Sequence, residues 1–421
     1  MREESQPVTS TGARVLELDA TRGAAMLAVV LSHSVAFLLP THDSLGRMLT
    51  TIGFIATPTF LLLSGVICGH LRTRYSDGGV KFRSRLIDRG LFLLLIVHLL
   101  LGLTHAMWES PSIAICGSFY ITDAVAVGLI VAALIGPAST RDRLLWVGAV
   151  LLLSAWFISV MAPASHEHLY RDLVRLIVGL EDSGDQDEGW IVPIVPYLGV
   201  FFIGLASGVE YTALRSRTVS REIVARYCIR IGLASASAGV ALKIAWLVCK
   251  SHLPPSWHPL LYWLTDPRAK MPPGPVYVLA YGGAGLAMGG AIIRLADTRR
   301  GEPLVRWLAV MGRSSLFVFV AQYWLILVPA SGFHVRGNVS FWALALVGSI
   351  ACCWVLAWFW DRSDGNRLLT LRPLLGTSLF RLFAPSARKT RSPAGAAPSA
   401  SPTLPARSAP RDRVSRSAPR A

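Results

Sequence analysis

Apolar residues along this chain gather in long runs, separated by short connectors rich in Gly, Pro and Arg. A helix needs about 20 mostly apolar residues to cross the hydrocarbon of a bilayer. The runs and their breakers predict ten such helices, at 18–39, 48–70, 89–108, 118–136, 143–162, 191–210, 228–249, 275–295, 305–328 and 340–360. Pro40, Pro111, Pro137, Pro163, Pro254, Pro255, Pro272 and Pro273 fall at or beyond predicted ends, as helix breakers do. Pro58 falls inside the second run and predicts a kink there, which membrane helices tolerate when neighbours satisfy the freed carbonyl. The expected fold class is all-α, a polytopic membrane protein with about ten transmembrane helices.

The connectors alternate in charge. One set carries Arg72, Arg74, Lys81, Arg83, Arg85 and Arg89, then Arg141 and Arg143, then Arg215, Arg217, Arg221, Arg226 and Arg230, then Arg294, Arg299, Arg300 and Arg306. The other set has only Arg47, Arg171, Arg175, Lys250, Arg268, Lys270 and Arg336, and its longest loop holds Glu181, Asp182, Asp185, Asp187 and Glu188. Basic loops stay cytoplasmic, so both termini are expected in the cytoplasm and the protein in the cell (inner) membrane. An even number of spans is then required, and ten fits. Residues 1–14 form a cytoplasmic segment, 15–384 the membrane domain, and 385–421 a disordered basic tail rich in Pro, Ser, Ala and Arg. The tail's charge can hold it near anionic lipid.

Composition supports the membrane reading. Of all residues 53% are apolar and 16% charged, against roughly 25% charged in a soluble protein. Mean hydropathy is +0.50. The net charge of +16 does not point to nucleic acid, because the basic residues lie in connectors and tail with no interleaved aromatic stripe. The six cysteines show neither metal-ligand spacing nor a disulfide framework. No metal is expected. The first apolar run follows acidic and polar residues and is long enough to remain an anchor.

Ionisable groups inside a membrane are costly and mark functional sites by default. In the first helix Asp19, Arg22, Met26, Val29 and His33 share one face. Arg22 and His33 are eleven residues apart, so about 16 Å of helical rise separates them. Arg22 is placed at the inner surface and His33 beyond mid-membrane. His98, His105, Asp123, Lys243 and Gln322 also map to the outer half, and His42 and Asp43 follow the first helix in an outer loop. As a set they predict one polar cavity opening outward. Hydrogen bonding between helices remains an alternative for each.

The setting LDATRGAAMLAVVLSH, with Arg22 and His33, resembles the opening helix of the transmembrane acyltransferases, comprising the acyltransferase-3 and heparan-α-glucosaminide N-acetyltransferase-like groups. PTFLLLSGVICG with Ser64-Gly65, FYITDAVAVGLI at 119–130, PYLGVFFIGLASG at 196–208, MPPGPVYVLAYGGAG at 271–285 and GRSSLFVFVAQYWLI at 312–326 are similar to later segments in the same order. The resemblance covers residues 15–362 and implies a membrane acyltransferase.

Such an enzyme moves an acyl group, here expected to be acetyl, from cytoplasmic acyl-CoA to a hydroxyl or amine of an extracytoplasmic glycan or small molecule. Acyl-CoA is then a donor substrate, with no permanently bound cofactor, and the other partners are the acceptor and membrane lipid. The resemblance implies a histidine as general base or covalent carrier. His33 is the first choice and His42 the second, with Asp123 orienting a histidine or binding the acceptor. Arg22, Arg83 and Arg89 are assigned to the phosphates of CoA, which arginine's planar donors match. Ser64, Lys243 and Gln322 are assigned to substrate. Gln322 stands where relatives often carry a histidine, and glutamine cannot take a proton near neutral pH. The alternative is a multi-span transporter of a small polar solute or lipid-linked glycan. It explains intramembrane polar groups equally well, but the two halves show no internal repeat of the kind many transporters have.

Overall fold

A computed structural model describes residues 15–39, 44–74, 80–106, 115, 118–135, 139–161, 177–178, 192–217, 219–327 and 339–371. The expectations for His42, Asp43, the acidic stretch at 181–188 and the basic tail lie outside the described residues. The described residues are mainly helical, joined by turns and short extended stretches that include a bridge between Lys270 and Pro273. The helices are α1 Leu16–Leu38, α2 Ser44–Gly53, α3 Ala56–Arg74, α4 Val80–Phe92, α5 His98–His105, α6 Ile121–Ile135, α7 Arg141–Met161 and α8 Ile194–Ser216. They continue as α9 Arg221–Cys249, α10 His258–Thr265, α11 Pro275–Tyr277, α12 Gly283–Ala296, α13 Glu302–Arg313, α14 Ser315–Gln322 and α15 Val339–Arg362.

Among the described residues, eight helices are long and apolar enough to span a membrane, and a ninth span exists if α13 and its continuation to Ile326 count as one. That pair bends by 71° at Ser314. The count therefore falls short of the ten expected. The difference is α6, whose 15 residues are fewer than the roughly 20 that a straight crossing needs. The second predicted run is also broken. The chain turns at Phe54 and Ile55, and Pro58 sits in the first turn of α3. Proline is tolerated near a helix start, where its missing N–H removes little.

Small residues let the backbones meet. Gly65 and Gly69 of α3 face Gly204 and Gly208 of α8, both pairs spaced four residues apart. A Cβ at Gly65 would collide with the Phe201 carbonyl, and one at Gly208 with that of Val66. Hydrophobic burial does little to join helices in lipid, so close van der Waals packing of this kind takes its place. Gly23 and Gly312 bring α1 against α13 in the same way. Helix α1 packs against α2, α3, α12, α13, α14 and α15, which leaves Ala20, Ala25, Met26 and Val30 wholly buried. Large apolar side chains remain exposed on α7, α9 and α15, among them Trp146, Phe157, Leu233, Val240 and Leu344. Those are the surfaces that lipid would cover.

Two features position the site. Three helices contain π turns, at Leu93–Val97, Val278–Gly282 and Tyr323–Leu327, a form concentrated at functional sites. The connection from α10 to α11 is pinned to the bundle by side chains. The Tyr197 hydroxyl donates to the Lys270 carbonyl at 2.7 Å, and the Trp156 indole donates to that of Pro273 at 2.8 Å.

Candidate active site

One cavity of about 1400 Å³ runs through the bundle. At one end Asp19 and Arg22 of α1, Arg85 and Arg89 of α4 and Arg313 of α13 line it. Arg313 is tied to Asp361, its Nη2 2.8 Å from Oδ2, so part of its charge is offset. At the other end the lining comes from α10 and the connection after it, through Tyr262, Trp263, Asp266, Arg268 and Lys270. Arg268 donates from its backbone N–H to Asp266 Oδ1 at 2.9 Å and from Nη2 to the Tyr262 hydroxyl at 3.0 Å. Burial pushes the Lys270 ammonium below the ordinary lysine value.

His33 lies between these ends, three turns along α1 from Arg22, and lines the cavity. Its Nδ1 meets the side-chain amide of Gln322, 3.0 Å from Oε1 and 2.7 Å from Nε2. Its Nε2 is 3.4 Å from the Tyr323 hydroxyl. The Tyr323 ring centroid is 4.7 Å from that of His33 and 5.6 Å from that of His105. Gln322 is completely buried. It is the last residue of α14, and the π turn begins immediately after it.

The remaining expected residues separate into groups. Ser64, Arg22 and Arg89 line the same cavity as His33. Arg83 is absent from the lining, and its Nε is buried with no hydrogen-bond partner among the described residues. Lys243 is also outside the lining, with its ammonium 5.2 Å from the ring centre of Tyr262, which does line the cavity.

Asp123 is outside the lining too, although Ile121 and Thr122 are in it. Its Oδ2 accepts from the Tyr120 backbone N–H at 2.7 Å, reaching back to cap the start of α6. The same oxygen lies 2.8 Å from His98 Nδ1, while His98 Nε2 lies 2.8 Å from the Ile115 carbonyl. Asp123 thus orients a histidine, but that histidine is His98. His42 lies outside the described residues.

Reading the sequence alone missed Tyr323 and passed over the Asp266–Lys270 segment. Tyr323 stands beside Gln322 in the AQYW run. A tyrosine adjoining a buried polar residue was the available signal. Three ionisable residues within five positions, beginning three residues after Trp263 of the aromatic pair Tyr262-Trp263, marked the second feature.

Residues 14–238 match the pattern described as "Heparan-alpha-glucosaminide N-acetyltransferase, catalytic". The chain belongs to that family. The match spans more than half the chain and includes His33, Arg22 and Arg89. Residues 180–365 match the pattern described as "OpgC protein", and this second segment contains the α10–α11 connection, Gln322 and Tyr323. No curated protein and no solved structure matches the chain. The protein is a multi-pass membrane enzyme of the acyltransferase class.

Proposed function

We propose that this enzyme transfers an acetyl group from acetyl-CoA, held at the arginine end of the cavity, to a hydroxyl or amine of a glycan at the opposite end, with His33 as general base. A single cavity places His33 between an arginine-lined end and a differently built polar end, and that observation carries the reading. Arg22, Arg85 and Arg89 supply planar cationic donors for phosphate. About 16 Å of helix from Arg22 to His33 separates phosphate from acyl carbon.

The chemistry balances without a further reactant. His33 Nε2 removes the acceptor proton as the acceptor oxygen or nitrogen attacks the thioester carbonyl carbon. The C–S bond breaks, the thiolate leaves, and the imidazolium returns the proton to sulfur. By the positive-inside rule the arginine end faces the cytoplasm and the Lys270 end faces out.

Sidedness is the test. Purified protein is reconstituted in liposomes, with acetyl-CoA on one face and amino-sugar or neutral-sugar oligosaccharides on the other. The acceptor should gain an acetyl group, read by mass spectrometry, only when acetyl-CoA is on the arginine side. Flux of the oligosaccharide without acetylation would overturn the reading in favour of transport.

A further inference from the structure

We infer that Gln322 is a positioning residue whose side-chain carbonyl selects the tautomer of His33, fixing the proton on Nδ1 and the lone pair on Nε2. The inference rests on His33 being the base, and it moves Gln322 from substrate to histidine.

A neutral imidazole has one N–H and one lone pair, and the partner of one nitrogen dictates the role of the other. The amide of Gln322 offers either a carbonyl or an NH2 to Nδ1, with both atoms within 3.0 Å. If the NH2 donates, Nδ1 holds the lone pair and Nε2 carries the proton. His33 could then donate toward the substrate but could not accept its proton from that side. If the carbonyl accepts, Nδ1 carries the proton and Nε2 is basic.

Nε2 is the nitrogen that Gln322 leaves uncovered on a ring lining the cavity. Its neighbour is the Tyr323 hydroxyl at 3.4 Å, a long contact that a substrate hydroxyl or amine can replace. That hydroxyl can donate to Nε2, which favours the same tautomer. The bond joins α1 to α14 across 289 positions of sequence. An unpaired buried amide is expensive, so Gln322 also holds the ring's orientation.

The test uses the full-length protein with acetyl-CoA and the oligosaccharide acceptors, following CoA thiol release against pH for wild type, Gln322→Glu, Gln322→Met and His33→Ala. A carboxylate can only accept from Nδ1–H and stabilises the imidazolium. Gln322→Glu should therefore retain kcat within about tenfold of wild type and move the acidic limb of the profile to higher pH. Gln322→Met fills the space without selecting a tautomer. Its kcat should fall about 10–100-fold while the KM for acetyl-CoA stays level.

A Gln322→Glu protein as inactive as Gln322→Met, or a Gln322→Met protein with wild-type kcat, overturns the inference. Nitrogen-15 spectra of histidine-labelled wild type test it without substitution at Gln322. The signals lost in His33→Ala should show a protonated Nδ1 and an unprotonated Nε2, and the reverse pattern contradicts the assignment. Wild-type activity in His33→Ala would instead remove the base reading itself, so the two failures are distinguishable.

Discussion

At one end of the cavity Arg22, Arg85 and Arg89 project from the long helices α1 and α4, whereas at the other Asp266, Arg268 and Lys270 come from a nine-residue connection between α10 and α11. The first end repeats a helical period and belongs to the more basic set of connectors. The second is held by hydrogen bonds from Tyr197 and Trp156 to main-chain carbonyls. A donor whose phosphate and thioester group are constant suits side chains fixed on rigid helices. A connection fastened at a few points can change its side chains without disturbing the bundle, which suits an end that must recognise a particular acceptor.

Separating the ends by substitution tests that contrast. The largest effect is expected at the helix-borne end. Arg22→Gln combined with Arg89→Gln should raise the KM for acetyl-CoA about 10–100-fold, the equivalent of one or two charge-assisted hydrogen bonds. The KM for the acceptor should stay level in the same steady-state assays. Equal effects on both substrates would break the division between the ends.

Asp123 separates scaffold from site. A hydrogen bond to a charged group contributes about 1.5–3 kcal/mol, and Asp123 Oδ2 engages both His98 and the Tyr120 N–H, so Asp123→Ala should lower the unfolding midpoint. In protein that remains folded, turnover at saturating substrates should stay near wild type. Unchanged stability with lost turnover would bring Asp123 back into the chemistry.

A smaller effect distinguishes the loop-borne end. Lys270 carries a depressed pKa because burial disfavours its charge. Between that lowered pKa and the ordinary one, the unfolded chain binds more protons, so the lysine's cost falls as pH rises. Lys270→Met should therefore be more heat-stable than wild type near pH 7, with a gap that narrows on raising the pH in parallel thermal unfolding scans. A gap that widens would show that the charge is stabilised where it sits.

The smallest effect is the salt dependence of the donor end. The KM for acetyl-CoA should rise modestly between low and physiological ionic strength, because exposed charges are screened over about 8 Å. An acceptor KM that shifts more than the donor KM would reverse the assignment of the ends.

How much of this was legible in the sequence follows from how each feature is built. Apolar runs revealed each helix that, among the described residues, is long and apolar enough to cross, because lipid demands such runs. They overstated α6, since 118–136 is apolar apart from Ser118, Thr122 and Asp123, while the described helix is Ile121–Ile135. They also gave no hint of the bend at Ser314, where α14 restarts at a second serine.

His33 and Arg22 were readable because both ride one face of a single helix. Gln322 was flagged for its polarity, but its partner lies 289 residues away, and no local period encodes that. Asp123 was flagged for its charge. Its partners, His98 and the Tyr120 N–H, come from packing and a helix cap. Asp266, Arg268 and Lys270 looked like scattered outer charges because a loop's return into the bundle depends on tertiary bonds from Tyr197 and Trp156.

The central claim is that His33 removes the acceptor proton between the two ends. Single-turnover acetyl transfer by His33→Ala, with acetyl-CoA and acceptor both saturating, measures that step most directly. The transfer rate should fall by at least about 100-fold, the lower range for losing a general base, while acetyl-CoA binding measured by calorimetry stays within a few-fold of wild type. Transfer at the wild-type rate by a folded His33→Ala protein would contradict the account.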